Sequence, residues 1–206
     1  MTDAVEAVSR RVSRETLARL EVLSEAVRQW NPRINLVAQS TVEDIWARHI
    51  RDSLQLVDLA PTTYRSWADL GSGGGFPGLV VAAALAETNP AVQVVLVESD
   101  RRKAAFLAQT ARAMDVNATV HAERIERLNP LGADVVSARA LAPLPALLGQ
   151  VIRHLGPGGT AILPKGARHR DELAEAAAIF RFAVEVVASN TDTAAAILVL
   201  TEIDNA

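Results

Sequence analysis

Apolar residues in the first third of the chain recur at the three- and four-residue steps that are typical of an amphipathic helix. One stripe of this kind consists of Leu17, Leu20, Leu23, Val27 and Trp30. Ser13 is a candidate N-cap for this helix, and Pro32 predicts its end because the residue before a proline avoids helical backbone angles. A second helix is predicted over residues 42–59, opened by Ser40 and Thr41.

From residue 66 onward, short apolar runs alternate with helical patterns. The predicted strands are Trp67–Leu70, Val92–Glu98, Thr119–His121, Asp134–Ala138 and Thr160–Pro164. The predicted helices are Gly78–Glu87, Arg101–Met114, Leu144–His154 and Arg168–Phe182. The strand runs are continuous in Val, Leu and Ile, which indicates a parallel sheet that is covered on both faces. Residues 156–159 predict a turn into the fifth strand.

The end of the chain breaks this alternation. Val184–Ala188 and Ala194–Glu202 are strand-like runs with a short connection, so we expect an antiparallel hairpin there. Five parallel strands closed by a hairpin are the layout of the class I S-adenosylmethionine-dependent methyltransferases, which have a Rossmann-like α/β fold. The sequence therefore predicts an N-terminal helical extension over residues 1–62 and a Rossmann-like methyltransferase domain over residues 63–206, forming one compact unit.

The most informative segment is the loop between the first predicted strand and the next helix, Asp69 to Gly78. Four glycines within five positions allow the backbone to adopt positive φ and to approach a ligand closely. Pro77 then opens the helix, where its missing N–H is not needed. Free N–H groups at a helix N-terminus favour an anionic or polar ligand, so this loop predicts a nucleotide-type cofactor site.

Two carboxylates favour S-adenosylmethionine over a nicotinamide dinucleotide in this site. The glycines also satisfy G-x-G-x-x-G, with an acidic residue about 20 positions further on, so the glycine pattern alone fits both cofactors. Asp69, however, suits the ammonium group of S-adenosylmethionine and is poorly suited to a pyrophosphate. Glu98, at the end of the second predicted strand, is placed to accept hydrogen bonds from both ribose hydroxyls.

Composition narrows the class of protein further. The 206 residues include no cysteine and four histidines, which excludes thiol nucleophiles and disulfides and predicts no metal site. The longest apolar stretch, residues 79–86, is too short to span a bilayer, and the N-terminus lacks the features of a secretory signal. We therefore expect a cytoplasmic enzyme with no membrane partner. A net charge of −3 argues against non-specific coating of nucleic acid but allows a local RNA-binding patch.

Several short motifs, in order and spacing, resemble one enzyme family. These motifs are Asn35-Leu36-Val37, Arg48-His49, Asp52-Ser53, the loop Asp69–Gly78, Ser137-Arg139-Ala140 and Lys165-Gly166. They resemble the bacterial small-subunit rRNA guanine-N7 methyltransferases, once called glucose-inhibited division protein B, over residues 12–202. Val37 is a difference, because many members have a threonine there.

The resemblance implies methylation of N7 of one guanine in the conserved decoding-region loop of 16S rRNA. The substrate would be the small ribosomal subunit or an assembly intermediate, and we expect the enzyme to be a monomer. The predicted cofactor-binding residues are Asp69, Gly71, Ser72, Gly73, Gly75, Phe76, Glu98, Ser99, Arg124, Ile125, Glu126 and Arg139. The candidates for positioning the substrate are Arg139, Lys165, Asn35 and His49.

The expected chemistry needs little from the protein beyond positioning. Guanine N7 carries no proton and has an exposed lone pair, so attack on a sulfonium methyl group is a direct in-line displacement without a general base. Alignment of the reacting atoms can supply about 7–11 kcal/mol of the acceleration. An arginine forks naturally onto guanine N7 and O6, but a donor on N7 would block the nucleophile. Arg139 is therefore assigned to O6, to a phosphate or to the cofactor carboxylate.

Simpler structural roles remain open for the same polar residues. Asn35 can cap the preceding helix, and His49 can be a hydrogen-bonded interior histidine with Asp52 as its partner. Arg48 and Asp52 can form an ordinary pair one helical turn apart. Lys165 follows a strand at the carboxyl edge of the sheet, where ligands bind, so a substrate or RNA phosphate is its expected contact.

Three other functions share parts of this pattern. A class I methyltransferase acting on another RNA or on a small molecule would have the same glycine loop, but it has no need of the motifs ahead of it. A nicotinamide-dependent oxidoreductase would need a catalytic Tyr-Lys pair or similar, and the single tyrosine, Tyr64, precedes the first predicted strand. A binding module without activity would not need both Asp69 and Glu98.

Overall fold

The computed structural model describes residues 3–205; residues 1, 2 and 206, at the ends of the predicted extension and domain, lie outside the described residues. The α-helices are α1 Asp3–Ser9, α2 Arg14–Ile34, α3 Arg51–Asp58, α4 Gly78–Thr88, α5 Arg101–Ala113, α6 Leu144–His154 and α7 His169–Ala177. The strands are β1 Ser66–Leu70, β2 Gln93–Val97, β3 Ala118–His121, β4 Ala133–Ser137, β5 Leu155–Lys165, β6 Phe180–Ala188 and β7 Ala196–Asn205. A 3₁₀ turn, Gln39–Thr41, and a π-helical segment, Trp46–Ile50, lie between α2 and α3.

The strands form one sheet in the order β3-β2-β1-β4-β5-β7-β6. Strands β1 to β5 pair in parallel, whereas β7 is antiparallel to both β5 and β6. The predicted class I methyltransferase layout, a parallel sheet closed by an antiparallel hairpin, is therefore confirmed. The strand order reverses between β1 and β4, and ligands of open α/β sheets bind at the carboxyl ends of strands at such a point.

The N-terminal helices share a hydrophobic core with one face of the sheet. Leu20 and Val27 of α2 are fully buried in the same cluster as Val80 of α4 and Phe106 of α5. Trp30 packs on Phe106 with ring centroids 5.9 Å apart. The division of the chain at residue 62 stays a prediction. Within residues 3–205 no helix combines the length and the apolarity that a membrane crossing requires.

The predicted end of the first long helix is wrong, because the helix passes through its proline. Helix α2 continues beyond Pro32 to Ile34, and Asn35 closes it with a left-handed backbone, φ 47°. The side-chain oxygen of the buried Asn31 accepts hydrogen bonds from the N–H groups of Leu36 and Val37, at 2.7 and 2.9 Å. The Asn31 side chain thus binds the two residues that follow the C-cap Asn35. The helix ends at Ile34, three residues later than predicted.

The predicted single helix over residues 42–59 is also wrong in its first half. The chain there forms the 3₁₀ turn and the π-helical segment, and only Arg51–Asp58 is α-helical. Ser53 Oγ donates to the carbonyl oxygen of His49 at 2.6 Å within this irregular stretch. π-helical turns are frequent at functional sites. This one carries Arg48 and His49.

Two further boundaries differ near the C-terminus. The helix predicted to reach Phe182 ends at Ala177, and strand β6 begins at Phe180. Large apolar side chains stand at every second position from Phe180 to Val186, with Arg181, Ala183 and Glu185 between them, a period-two signal that marks a strand. The turn predicted over residues 156–159 lies inside the long strand β5, where Gly158 has φ 71° and the pairing with β4 shifts register. Glycine with positive φ is typical of a β-bulge.

Candidate cofactor and substrate site

The glycine loop follows β1 with a backbone that only glycine adopts readily. Gly71, Gly73 and Gly75 have φ values of 72°, 51° and 86°. A Cβ at Gly73 would meet no atom closer than 3.8 Å, so a side chain there would enter open space beside the loop. A Cβ at Gly78 would lie 2.3 Å from Leu96 and 2.7 Å from Asp69 Oδ2. Glycine at position 73 therefore leaves space open beside the loop, and glycine at position 78 allows the start of α4 to pack closely on the sheet.

Asp69 lies behind this loop and is fully buried. Its Oδ1 accepts from Ser137 Oγ at 2.7 Å, and its Oδ2 accepts from the N–H of Gly78 at 3.2 Å. Burial raises the pKa of Asp69 to about 6, against the opposing effect of these hydrogen bonds. One carboxylate oxygen thus contacts β4 and the other contacts the end of the loop, and Asp69 does not line the adjacent cavity. Its direct contact with a cofactor ammonium group stays a prediction.

Glu98 supports the loop from the neighbouring strand end. Its Oε2 accepts from the N–H of Gly73 at 2.9 Å, and its Oε1 accepts from the N–H of Asp100 at 2.8 Å. Asp100 in turn caps α5 by accepting from the N–H groups of Arg102 and Lys103. The carboxylate of Glu98 is therefore fixed in place at the wall of the cavity.

A first cavity of about 610 Å³ lies over the loop. Among the predicted cofactor residues, those that line it are Gly71, Ser72, Gly73, Phe76, Glu98, Ser99, Arg124, Ile125, Glu126 and Arg139. Gly75 does not line it, because its position faces Leu79, whose Cδ1 would lie 2.7 Å from a Cβ there. His49, predicted as a substrate-positioning residue, lines this cavity as well.

The lining residues fit S-adenosylmethionine. The volume is within the range of about 300–1,000 Å³ for small-ligand sites. Glycines with positive φ keep side chains out of the cavity next to the loop, where a polar ligand can meet backbone N–H groups. Glu98 supplies a fixed carboxylate for hydroxyl donors, and Ile125 supplies an apolar surface for a flat base. Within residues 3–205 no cluster of three or more His, Asp or Glu side chains is arranged to hold a metal ion.

Arg139, just after β4, is held by the N-terminal extension. Its Nη2 donates to His49 Nδ1 at 3.0 Å, and its Nη1 lies 3.5 Å from both Asp52 Oδ2 and the carbonyl oxygen of Arg48. The guanidinium carbon lies 5.5 Å from the centre of the Phe76 ring, within range of a cation–π contact. Four contacts therefore fix the direction of this guanidinium.

His49 connects Arg139 to the segment after α2. Because Nδ1 accepts from Arg139, the proton of neutral His49 lies on Nε2, which donates to Thr41 Oγ1 at 2.9 Å. The His49 ring also stacks on Phe76, with centroids 5.0 Å apart. Burial, with Arg139 and Arg48 nearby, lowers the pKa of His49 from 6.5 to about 4. His49 is therefore neutral near pH 7 and structural in its contacts.

A second cavity of about 1150 Å³ adjoins the first. Arg139, Ala140 and Leu141 line both cavities and form their common wall. Ala140 has φ 52°, a left-handed conformation that costs an alanine about 1–2 kcal/mol. Strain of this kind is concentrated at functional sites. Arg48, Asp52 and the connection between β6 and β7 complete the second cavity.

Lys165 and Asn35, both predicted to position the substrate, have structural contacts within the chain. Lys165 lines the second cavity, but its ammonium donates to Glu172 at 2.9 Å and to the carbonyl oxygen of Ala142 at 2.8 Å, and only 8% of its side chain is exposed. Asn35 closes α2 and lines neither cavity, which corresponds to its alternative capping role. A direct RNA contact of either residue stays a prediction.

Asp52 joins the extension to the C-terminal hairpin. Its Oδ1 accepts from Thr191 Oγ1 at 2.7 Å, in addition to its contact with Arg139. On the same helix, Gln55 Oε1 accepts from the N–H of Asn190 at 2.7 Å. Nothing in the sequence predicted a link between Asp52 and the hairpin, since the two residues are 139 positions apart.

Several residues of the first cavity were not predicted from the sequence. Leu36, Val37 and Ala38 line it, which places part of the Asn-Leu-Val motif beside the cofactor loop. Leu36 packs so closely on Gly74 that a Cβ there would lie 3.1 Å from its carbonyl oxygen. Gln150 of α6 lines it as well. A lone glutamine in a helix offers no motif, so nothing local could have indicated it.

The sequence profile of one family, GidB: rRNA small subunit methyltransferase G, matches residues 16–196. The chain belongs to this family. It is 50% identical over 190 residues to the ribosomal RNA small subunit methyltransferase G of Ruegeria pomeroyi, covering 92% of this chain and 93% of the relative. The predicted family resemblance is confirmed.

Solved structures support the fold of this rRNA small subunit methyltransferase G family member. A SAM-dependent methyltransferase from Aquifex aeolicus superposes with a TM-score of 0.56 at 13% identity, covering 86% of this chain and 97% of that chain. A mutant of MtNAS in complex with S-adenosylmethionine superposes with a TM-score of 0.58 at 15% identity, covering 90% and 73% of the two chains. At these identities the likeness establishes the shared fold alone.

Proposed function

We propose that this chain transfers a methyl group from S-adenosylmethionine to N7 of one guanine in the decoding-region loop of 16S rRNA. Membership of the rRNA small subunit methyltransferase G family supports the broader activity, S-adenosylmethionine-dependent methylation of small-subunit rRNA. The observation that carries the proposal is the common wall Arg139–Leu141, which brings a cofactor-sized cavity next to one large enough for a nucleotide.

The residues around the two cavities have separate roles. When bound, S-adenosylmethionine supplies an electrophilic methyl group. The glycine loop, Glu98 and Ile125 hold and orient the cofactor in the first cavity. The target base would enter the second cavity with its N7 lone pair directed past Arg139–Leu141 towards the methyl group, so that the N7–carbon bond forms as the carbon–sulfur bond breaks and S-adenosylhomocysteine departs. Because N7 carries no proton, the transfer needs no general base.

Arg139 is the candidate residue for orienting the guanine. Its Nη1 and Nη2 already contact Asp52 and His49, which keeps the guanidinium from turning freely. Its remaining N–H donors are suited to guanine O6 or to a backbone phosphate. A donor on O6 fixes the base in its plane and leaves the N7 lone pair free to react. Arg139 therefore acts by positioning, the effect that in-line transfer needs most.

The experiment is transfer of radiolabelled methyl from S-adenosylmethionine to purified small subunits that lack the modification. Aniline cleavage then locates any N7-methylguanine. We expect one cleavage in the decoding-region loop, and no incorporation into subunits that already carry the methyl group. Label at another atom or another base would reject the proposed N7 specificity, but the broader activity, methylation of small-subunit rRNA, would still stand. If no RNA were labelled although the enzyme still bound S-adenosylhomocysteine, the assignment of 16S rRNA as the substrate would be rejected. Sedimentation of the enzyme alone would test the proposed monomer.

A further inference from the structure

Three basic side chains line the second cavity, those of Arg48, Arg139 and Lys165. Two of them have carboxylate partners: Arg139 Nη1 lies 3.5 Å from Asp52 Oδ2, and Lys165 Nζ lies 2.9 Å from Glu172 Oε2. Only 19% of the Arg139 side chain and 8% of the Lys165 side chain are exposed. These two charges are therefore largely neutralised within the chain, and the third differs from them.

Arg48 is exposed at the wall of this cavity. No carboxylate among residues 3–205 forms an ion pair with its guanidinium. Asp44 and Asp52, four residues before and after it, line the same cavity, but the carboxylate of Asp52 pairs with Arg139 instead. A guanidinium presents several N–H donors in a plane that matches the oxygens of a phosphate. Arg48 is thus the cation of this cavity that is available to an anionic ligand.

Lys165 and Glu172 both contact the chain that follows the common wall. Lys165, at the end of β5, donates to the carbonyl oxygen of Ala142 at 2.8 Å. Glu172, on α7, accepts from the N–H of Leu144 at 2.8 Å through the same oxygen that accepts from Lys165. The ion pair therefore fixes residues 142–144 to the end of β5 and to α7.

The common wall depends on such support. Ala140 has φ 52°, and a strained backbone of this kind persists only where the surrounding structure fixes it. Leu141 packs on the glycine loop so closely that its Cδ1 would lie 2.7 Å from a Cβ at Gly71. The contact of Lys165 with Ala142 comes directly after these two residues. Loss of that contact would let the wall between the two cavities move, and methyl transfer is sensitive to small errors of alignment.

We propose that Arg48 binds a phosphate of the RNA strand that carries the target base, and that Lys165 is a positioning residue that holds the common wall through Ala142. This inference rests on the proposed function for its RNA substrate. It gives Lys165 a role other than the phosphate contact expected from the sequence, because two of its three N–H donors are bound within the chain.

Arg48→Met and Lys165→Met remove one positive charge each from the same cavity, so each variant is the control for the other. The measurement is steady-state methylation of small subunits over a range of salt concentrations. In Arg48→Met, KM should rise about 10-fold with kcat changed less than about threefold, and the log–log salt dependence of kcat/KM should become shallower by about 0.7–0.9. In Lys165→Met, kcat should fall about 10-fold while KM and the salt dependence stay close to wild type.

Glu172→Ala gives the two possible roles of Lys165 opposite results. The variant keeps Lys165 but removes its carboxylate partner and the acceptor for the N–H of Leu144. If Lys165 positions the wall, kcat should fall, and adding Lys165→Met should reduce it less than about threefold further, because both changes disrupt the same contacts. If Lys165 bound RNA instead, release from Glu172 would lower KM, which would overturn its assigned role.

Hydrogen exchange followed by mass spectrometry tests the wall without RNA. The segment 140–144 should exchange at least about 10-fold faster in Lys165→Met than in wild type, because a local contact that limits its opening is lost. The same segment in Arg48→Met should exchange as in wild type. Thermal unfolding of each variant would verify that the chain is folded.

Several results would overturn the proposal in distinguishable ways. A shallower salt dependence in Lys165→Met, or an unchanged one in Arg48→Met, would reject the division of roles between the two cations. Wild-type kcat and wild-type exchange in Lys165→Met would mean that its ion pair does not position the wall. If wild type methylated no small subunits, the proposed function and the role of Arg48 would be rejected, whereas hydrogen exchange would still decide whether Lys165 holds the wall.

Discussion

The two cavities on either side of Arg139–Leu141 are lined by different parts of the chain. The first is built around a glycine loop with positive φ, the end of β2 and the loop after β3, which are consecutive with strands of the parallel sheet, and residues 36–38 and His49 of the extension also line it. The second consists of side chains from segments far apart in the chain, including the π-helical segment, the end of β5 and the connection between β6 and β7.

This difference indicates how the two parts respond to change. The glycine loop beside the first cavity is sensitive to an added Cβ but has few side-chain contacts to lose. A cavity closed by side-chain contacts depends on a few hydrogen bonds, of which Asp52 makes those that join the extension, Arg139 and the hairpin. We therefore expect substitutions to separate cofactor binding from RNA methylation.

The largest effect is expected from filling the first cavity. Gly73→Val adds a β-branched side chain at φ 51°, which is unfavourable for the backbone, and the side chain would occupy space beside the loop. Binding of S-adenosylhomocysteine should weaken at least about 100-fold, equivalent to about 2.7 kcal/mol. Calorimetry measures this directly.

Gly158→Val is the matched control for that change. Gly158 also has a positive φ, 71°, but lies in β5 with no atom within 4 Å of a Cβ, away from both cavities. It should lower thermal stability without lowering cofactor affinity. Equal loss of affinity in the two variants would mean that backbone strain, rather than occupation of the cavity, explains the Gly73 result.

An intermediate effect is expected from opening the second cavity. Asp52→Ala removes the acceptor for Thr191 and the charge beside the partly buried Arg139. The value of kcat/KM for small subunits should fall about 10- to 100-fold, or about 1.4–2.7 kcal/mol, because Arg139 and the hairpin lose their common partner. Affinity for S-adenosylhomocysteine should change less than about threefold.

Asp58→Ala is the control for Asp52→Ala. Asp58 is an exposed carboxylate on the same helix that pairs with Arg11 and lines neither of these cavities. Exposed ion pairs contribute little, so methylation should be unchanged. If Asp52→Ala weakened cofactor binding as much as methylation, the two cavities would not be separable.

The smallest effect concerns the pH dependence of stability. The pKa of His49 is lowered from 6.5 to about 4 in the folded chain, so the unfolded chain binds the proton more readily between these values. The contribution of His49 to the free energy of unfolding is therefore lost as pH falls from 6.5 towards 4. Asp69, whose pKa is raised from 3.8 to about 6, acts in the opposite direction over pH 6 to 4.

Comparison with His49→Gln removes the contribution of Asp69, since both proteins contain it. The wild-type Tm should fall by more than the Tm of His49→Gln between about pH 7 and pH 5. Thermal unfolding followed by circular dichroism at both pH values gives the four Tm values. Parallel changes in the two proteins would show that His49 is not held neutral by its contacts with Arg139 and its burial.

The sequence by itself determined the cofactor side of this protein. Backbone preferences within about ten consecutive residues are enough to predict a strand, a glycine loop and a helix in that order. Gly73 could therefore be assigned to a cofactor cavity from the glycine pattern, whereas Gly71 and Phe76 were assigned to it by the resemblance to the family. The continuous apolar strands and the final hairpin likewise indicated the sheet correctly, because burial on both faces leaves a direct mark on composition.

Only the tertiary structure decided the rest. Several contacts depend on which distant segments meet: Asp69 with Ser137, Lys165 with the carbonyl oxygen of Ala142, Asp52 with Thr191, and Gln150 with Glu126. A side chain's partner is set by packing across the sheet rather than by its neighbours in sequence. Residues tens to more than a hundred positions apart carry no common local signal, so their contacts emerge only when the extension and the hairpin close over the strand ends.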